Sequence, residues 1–248
     1  MTGRARRRRA SSVVLLGGLA GVAAGCLPPA ATAEGRTVSD LYAVFVGIAA
    51  VVAAIVFGLT TYAILRYRGS ERDELPVQTR GSVRLEVVWT VIPILTIVGL
   101  FAGTLVVLGR VEARSAQPGA DLRVEAFRWG WTFSYPAEGI VVSGAAPDGP
   151  EVVVPVGAPV RVTLAAADVN HAFYVPLFLF KRDAIPGRES VFEFTVEEPG
   201  AYGGQCAEFC GIYHAAMPFT IRAVSRAEYE AWLGNQPRTL ATPIGSPP

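Results

Sequence analysis

The sequence is poor in charged side chains for its size. Only 17% of its 248 residues are charged and 51% are hydrophobic, whereas typical soluble domains carry about 25% charged residues. This composition argues against a disordered chain and against an ordinary cytosolic domain, and it favours a membrane protein. The length allows one or two domains.

Cysteine, histidine and methionine are equally scarce, with three, two and two copies. Three cysteines are too few for a small scaffold held together by disulfides. The chain lacks a Cys-x-x-Cys-His motif, which excludes a covalently attached c-type haem. We therefore expect no haem on this chain.

The formal net charge of +1 excludes a strongly basic nucleic-acid binder, and no nucleic-acid partner is expected. The charge is unevenly distributed. Residues 1–25 contain five arginines and no acids, whereas residues 111–248 contain ten basic and fifteen acidic side chains, a net charge of −5.

Residues 1–25 have the layout of a secretory signal, with arginines, an apolar stretch and small residues in that order. Ala23-Ala24-Gly25 before Cys26 resembles a bacterial lipoprotein signal, which predicts that Cys26 is lipidated and becomes the new N-terminus. Ala31-Thr32-Ala33 offers a second site of the A-x-A type, and cleavage there would discard Cys26. Absence of cleavage is a third alternative. Residues 26–40 are predicted to be an extracytoplasmic segment.

Two uncharged stretches follow, Leu41–Leu65 with 25 residues and Val87–Gly109 with 23. At about 1.5 Å per helical residue, each is long enough to cross a hydrocarbon core of about 30 Å. Pro93 lies inside the second stretch, where membrane helices tolerate it. The sequence predicts a transmembrane helix hairpin over residues 41–109, and two buried helices of a soluble protein are the alternative.

The orientation of this hairpin follows from its connecting loop, which carries five arginines: Arg66, Arg68, Arg72, Arg80 and Arg84. Because positively charged loops stay in the cytoplasm, residues 110–248 are predicted to lie outside. We therefore expect a multi-pass protein of the bacterial cell membrane with an extracytoplasmic C-terminal domain.

Residues 110–234 have the pattern of an all-β domain. Short alternating or β-branched runs are separated by proline and glycine, as in a sandwich or barrel; they are Leu122–Phe127, Glu151–Val154, Val160–Ala165, Val191–Val196 and Phe219–Val224. Ser225 and Glu228 have the spacing of a capping box at the start of a helix. Residues 235–248 are rich in proline and are predicted to form a flexible tail.

The scarce metal-binding residues are concentrated in one segment. Residues 206–217 read Cys206-Ala-Glu208-Phe-Cys210-Gly-Ile-Tyr-His214-Ala-Ala-Met217, and His171 is the only other histidine. Thiolate, thioether and imidazole ligands together favour copper. A closed zinc site made by the two cysteines and two histidines, and a Cys206–Cys210 disulfide, remain alternatives.

This segment resembles the binuclear copper (CuA) loop of cytochrome c oxidase subunit II. The segment from Asp168 to Gly187 resembles the upstream ligand segment of that family, and Glu86–Pro93 resembles the start of its second membrane helix. The resemblance implies a membrane-anchored all-β protein, in which a two-helix transmembrane hairpin precedes an extracytoplasmic cupredoxin-like Greek-key β-barrel.

The resemblance also implies the ligands of two copper ions. Cys206 and Cys210 would bridge both ions, His171 and Met217 would complete one, and His214 and the backbone carbonyl of Glu208 the other. The carboxylate of Glu208 would help to bind magnesium at the boundary with subunit I, and a solvated acid is the alternative.

Glu86 corresponds to a glutamate at the entrance of a proton channel in the partner subunit. A simple acid at a helix N-terminus is the alternative.

Electron transfer is the function that the resemblance implies. Subunit II would accept electrons from cytochrome c on the outer face and pass them to haem in subunit I, where oxygen is reduced to water with proton pumping. Trp129 and Trp131 share the period of a strand and are the candidate electron ports, with core packing as the alternative for either. Gly130 replaces the middle aromatic of the family's run. The acidic excess of the domain would suit a basic cytochrome.

Several other functions fit parts of the sequence. A membrane-anchored copper-binding or copper-delivery protein would also use cysteine, histidine and methionine. A quinol oxidase subunit would lack the copper ligands, and a nitrous oxide reductase would need a large further domain. A structural β-domain with one disulfide is the simplest alternative.

Overall fold

A computed structural model of the chain describes residues 27–68, 78 and 80–238. The predicted signal sequence and Cys26 lie outside the described residues, as do Arg72 and most of the tail. The described part comprises two compact units. One contains residues 40–109, and the other combines residues 27–39 with the segment that begins at Arg110.

The first unit contains most of two long helices, α1 (Ala33–Arg66) and α2 (Val83–Val111). Each is long and apolar enough to cross a membrane, with a mean hydropathy of 2.6 in its most apolar part. They contain the two predicted spans, and α1 begins eight residues before Leu41. Between residues 40 and 109 their side chains are mostly exposed, as expected for helices whose apolar surface is covered by lipid.

The second unit is a β-sandwich of two five-stranded sheets. The first sheet has the order β3-β2-β1-β5-β8 and the second the order β4-β10-β9-β6-β7. Two pairs, β1 with β5 and β4 with β10, are parallel, and the others are antiparallel. The strands are β1 (Ala120–Phe127), β2 (Gly130–Tyr135), β3 (Ile140–Ala145), β4 (Glu151–Pro155), β5 (Val160–Ala166), β6 (His171–Val175), β7 (Phe180–Ala184), β8 (Ser190–Phe194), β9 (Gly200–Cys206) and β10 (Pro218–Val224).

Aromatic side chains fill the space between the sheets. Trp131, Phe173 and Phe219 are almost fully buried, and their rings pack within 4.8–6.3 Å of one another. Alternation along β1 and β5 buries every second residue, which is the period that strands impose. The predicted anchored, cupredoxin-like Greek-key fold is confirmed.

A short helix, α3 (Arg226–Asn235), follows β10. Its capping box is formed as predicted, because the Glu228 amide donates to the Ser225 hydroxyl and the Ser225 amide donates to the Glu228 carboxylate. Tyr229 in its first turns is buried against the sandwich.

The described part of the N-terminal segment packs with the β-sandwich. The described residues 27–39 belong to the same compact unit as the β-sandwich. Thr32 pairs with Val196 in an isolated antiparallel bridge, an arrangement that no local sequence pattern indicates.

Candidate metal centre

The predicted ligands meet at one end of the second sheet. His171 is the first residue of β6 and Cys206 the last of β9. These strands are antiparallel neighbours, with Phe173 opposite Cys206. Strand pairing therefore brings together two ligands that are 35 residues apart in the sequence.

The remaining ligands lie in the loop between β9 and β10. A short 3₁₀ turn over His214–Ala216 directs the chain back, and the Cys206 amide donates to the Met217 carbonyl at 3.2 Å. This bond closes the segment from Cys206 to Met217, called the ligand loop below. Gly211 within it has φ +120, a conformation that glycine adopts readily.

The donor atoms form a chain with the two sulfurs in the middle. The Sγ atoms of Cys206 and Cys210 are 3.9 Å apart. His171 Nδ1 lies 3.7 Å from the first sulfur, and His214 Nδ1 lies 3.7 Å from the second. Met217 Sδ is 3.9 Å from Cys210 Sγ, and the Glu208 carbonyl oxygen is 3.3 Å from Cys206 Sγ.

Nearly all of these donors are shielded from solvent. His171 is 0% exposed, and Cys206, Cys210 and Met217 are at most 5% exposed. Both cysteines are free, so the alternative of a Cys206–Cys210 disulfide is not realised. A buried set of this kind holds its side chains in place before any metal binds.

Asp168 orients the imidazole of His171. Its Oδ1 lies 2.9 Å from His171 Nε2, which leaves Nδ1 to face the sulfur of Cys206. Backbone amides of Arg128 and Val169 and the Arg128 side chain also donate to this carboxylate. Although burial raises the pKa of Asp168, the bonds from His171 and the other donors lower it to about 2. The carboxylate therefore stays charged.

The two thiols differ in acidity. Burial raises the pKa of Cys206, but hydrogen bonds from the His171 imidazole, the backbone at Glu208 and Ala172, and His214 together outweigh it, so that this pKa lies below its ordinary value. Burial, followed by the charge of Cys206, raises the pKa of Cys210. The pair therefore provides one thiolate readily, and a cation between the sulfurs would stabilise the second.

This arrangement fits two soft metal ions better than one zinc ion. His171, Cys206 and Cys210 place donor atoms within 4.8 Å of one another, and His214 is not part of this group. A tetrahedral zinc site needs all four donors around one point. Here each imidazole lies beside a different sulfur, which suits two ions that share both sulfurs.

The two candidate electron ports occupy different environments. Trp129 precedes β2, is partly buried, and donates from Nε1 to the Cys210 carbonyl at 3.1 Å. The ring of Tyr213 packs edge-on against it at 5.0 Å. Trp131 is fully buried and donates to the Met217 carbonyl. Trp131 is therefore a core residue packed against the ligand loop, with no exposed surface for a docking protein.

Gly130 lies between these tryptophans where there is no room for a side chain. A Cβ atom there would lie 2.4 Å from the Gly144 carbonyl oxygen and 2.6 Å from the ring of Phe127. The loss of the middle aromatic is therefore linked to close pairing with β3 and to the position of the Phe127 ring.

The carboxylate of Glu208 contacts a lysine rather than a ligand of the loop. It accepts from Lys181 Nζ at 3.1 Å, and this ammonium also pairs with Asp183 at 2.8 Å. Hydrogen bonds to Asp183 and Glu208 raise the pKa of Lys181. The carbonyl of Glu208 thus contacts the Cys206 sulfur, and its carboxylate contacts Lys181. The sequence position of Glu208 alone does not indicate this division.

Glu86 lies in the first turn of α2. Its amide donates to the Ser82 carbonyl at 3.0 Å, and its carbonyl accepts from the Thr90 hydroxyl at 2.8 Å. This position also fits an acid that stabilises a helix N-terminus.

Sequence reasoning missed two residues of this region, Asp168 and Lys181. A carboxylate three residues before a candidate histidine ligand is a signal that could have found Asp168, because such ligands commonly donate to a carboxylate. Lys181 has no comparable signal.

Comparisons with known proteins match this chain to one family over both units. The model for "Cytochrome C oxidase subunit II, periplasmic domain" matches residues 147–224, and that for the transmembrane domain of the same subunit matches residues 20–105. A "Probable cytochrome c oxidase subunit 2" of Nocardia farcinica is 30% identical over 301 residues, which cover 91% of this chain and 80% of the relative. The chain belongs to the cytochrome c oxidase subunit II family.

Other members are similarly related. Cytochrome c oxidase subunit 2 of Cereibacter sphaeroides is 33% identical over 218 residues, 74% of this chain and 71% of that protein. The periplasmic domain of subunit II from Bradyrhizobium japonicum, a crystal structure, is 34% identical with a TM-score of 0.47, covering 50% of this chain and 96% of the other. The predicted family and the assignment as an oxidase subunit are confirmed. The two apolar helices and the match to the transmembrane domain make it a membrane-anchored subunit.

Proposed function

We propose that this chain carries a binuclear copper centre that accepts electrons from cytochrome c and passes them to haem in subunit I. The observation that carries the proposal is the row of buried donors, in which two sulfurs lie between two imidazoles. The oxygen-reducing site belongs to subunit I, where oxygen is reduced to water with proton pumping.

The ligand roles follow the family pattern. Cys206 and Cys210 would hold both ions, His171 and Met217 would complete the set for one, and His214 and the Glu208 carbonyl the set for the other. When bound, the copper pair supplies a redox couple whose charge is shared over two metals. A site with protein donors on every side leaves no open position for a substrate, in contrast to catalytic metal sites.

The protein contributes rigidity and exclusion of water. Asp168 fixes the ring of His171, strand pairing fixes Cys206, and the closing bond to Met217 fixes the far end of the ligand loop. Little movement of these donors is therefore needed when charge arrives or leaves. A dry, preorganised site also tunes the potential of its metal.

Electrons reach the ligand loop through Trp129. Its indole contacts Cys210 through one hydrogen bond, and its ring borders an apolar surface groove. The groove is lined by Arg128, Trp129, Ala145, Ala146, Pro147, Tyr213 and Ala216. Arg128 is paired with Asp168, which leaves little net charge beside the port. A cytochrome therefore docks here through apolar contact, while the domain's excess acid acts from a greater distance.

Two further roles belong to the boundary with subunit I. The Glu208 carboxylate, now paired with Lys181, is an oxygen ligand suited to magnesium. Glu86 serves at the cytoplasmic entrance of the proton channel, in keeping with its place at the start of α2.

A copper-delivery protein is the alternative, and the burial of the donors argues against it. Delivery requires ligands that exchange with a partner, whereas His171 and Met217 are at most 1% exposed. A long-lived cofactor site is the better fit.

Copper titration of the purified full-length chain in detergent tests the proposal. We expect two copper ions per chain and, after partial reduction, an electron paramagnetic resonance spectrum with seven hyperfine lines, because one unpaired electron is shared by two copper nuclei. The His171→Asn variant should lose this pattern, whereas His214→Asn should alter it through the other ion. A four-line spectrum with one copper per chain would refute the binuclear centre.

A further inference from the structure

The residues that precede the first membrane helix are built into the β-sandwich. Residues 31–36, called the N-terminal clasp below, form three backbone hydrogen bonds with the sandwich and one among themselves. Ala31 donates to Leu177 at 2.8 Å, Ala33 donates to Thr195 at 3.0 Å, and Glu197 donates to Ala31 at 3.1 Å, while Arg36 donates within the clasp to Thr32 at 2.9 Å. The backbone of the clasp is thus hydrogen-bonded to the sandwich on both sides of Thr32.

Thr32 is the centre of the clasp. It is 0% exposed, it pairs with Val196, and its hydroxyl lies 3.5 Å from the Phe178 carbonyl. The same hydroxyl accepts from the Gly35 amide at 3.0 Å, which is the bond that an N-cap residue makes. Thr32 therefore begins α1 and is bound to the sandwich at the same time.

Glu34, Gly35 and Arg36 add contacts that require the clasp to lie against the sandwich. The Glu34 carboxylate accepts from the Thr195 amide at 2.8 Å and from its hydroxyl at 3.2 Å. Arg36 pairs with Glu197. Gly35 is buried, and a Cβ atom there would lie 2.6 Å from the Phe178 carbonyl oxygen. Backbone, side-chain and steric features thus agree on one docked conformation.

We propose that the clasp is a permanent part of the mature protein and that any N-terminal processing occurs upstream of Ala31. Cleavage after Ala33 would remove Ala31 and Thr32, and with them the helix cap and the bridge to Val196. It would also place a positively charged ammonium at the helix N-terminus, where the helix dipole disfavours it. The Ala31-Thr32-Ala33 sequence is therefore a structural element whose composition imitates a cleavage site.

The position of the mature N-terminus tests the proposal directly. The chain is expressed with its own leader in a bacterial host, purified from the membrane, and its N-terminus is determined by intact mass and N-terminal sequencing. We expect a first residue upstream of Ala31, with or without a lipid mass. A first residue at Glu34 would overturn the proposal.

A second experiment tests whether the clasp stabilises the domain. Two forms that keep the whole chain to its C-terminus are expressed behind a foreign cleavable leader. After removal of the leader, one begins at Ala30 and the other at Glu34. The thermal midpoint of the sandwich is followed by tryptophan fluorescence. We expect the shorter form to melt several degrees lower, because it lacks a helix cap and several backbone bonds. Equal midpoints would overturn the proposal.

Point variants separate the clasp from an effect of chain length. Thr32→Val keeps the shape and loses the hydroxyl, and it should lower the midpoint. Thr32→Ser keeps the hydroxyl and should behave much like the original chain. If both variants lower the midpoint equally, the hydroxyl bonds to Gly35 and Phe178 have no role and the clasp is not held as described.

Discussion

The indole of Trp129 is hydrogen-bonded to the backbone of Cys210, with 3.1 Å between Nε1 and the carbonyl oxygen. This bond joins the partly exposed ring to the backbone of a proposed bridging ligand. The path from this surface group to the backbone of Cys210 therefore runs through one hydrogen bond.

Replacing Trp129 with phenylalanine keeps an aromatic ring and removes this bond. We expect the copper spectrum to be unchanged and electron transfer from reduced cytochrome c to slow by roughly tenfold, the effect of losing an oriented contact worth about 1.4 kcal/mol. Stopped-flow absorption at the copper band measures the rate. Trp232→Phe is the matched control, because Trp232 lies in α3 and packs against Tyr135 of β2. Equal slowing in both variants would contradict a specific port.

Asp168→Asn should weaken copper binding by about 10–100-fold, the usual effect of removing a carboxylate that orients a metal-binding histidine. Competitive titration against a copper chelator measures the affinity, and the exposed Asp148→Asn is the control. Arg128→Gln removes the ion pair but keeps the bond between Asp168 and His171. If Arg128→Gln weakens binding as much as Asp168→Asn, the orientation of His171 is not the cause.

Gly130→Ala should destabilise the sandwich by about 1–3 kcal/mol, as overpacking does in tight cores. The new methyl group would meet the Gly144 carbonyl, which belongs to a paired strand and cannot move aside. Gly203→Ala in β9 is the control, because nothing lies within 4 Å of its new methyl group. Chemical denaturation measures both variants, and a neutral Gly130→Ala would show that the strands can separate.

The capping box of α3 should make stability depend on pH in the acidic range. Hydrogen bonds from the side chain and backbone of Ser225 lower the pKa of Glu228. A lowered carboxyl pKa stabilises the fold above the ordinary glutamate pKa, and this contribution is lost as the pH falls through the folded value. The difference in thermal midpoint between the original chain and Glu228→Gln should therefore be largest near neutral pH and should shrink below about pH 4. A difference that stays constant from pH 3 to pH 7 would exclude the charged form as its source.

Local sequence patterns predicted the elements with a uniform or regularly alternating distribution of apolar residues. The two helices are apolar on every side, and the five predicted β-runs correspond to β1, β4, β5, β8 and β10. The remaining strands have weaker signals. β9 contains three glycines, and β6 is buried at four of its five positions without regular alternation. These two strands contribute Cys206 and His171, so the strands that carry the first ligands were the harder ones to predict.

The candidate ligands could be found from composition because the chain has so few soft and imidazole side chains. Their mutual positions could not, since His171 reaches the sulfurs only through the pairing of β6 with β9. Trp129 and Trp131 lie in different environments although they are only two residues apart. β2 begins only at Gly130, so Trp129 lies outside the strand.

The closed ligand loop has a consequence for how the metal enters. Both sulfurs are at most 5% exposed, and the bond between Cys206 and Met217 holds the two ends of the loop together. Because the two cysteines are so little exposed, we expect an incoming ion to need an opening of the loop before it reaches both sulfurs. Maturation should therefore be limited by a transient opening of the polypeptide, and the rate of copper uptake should level off as the copper concentration rises.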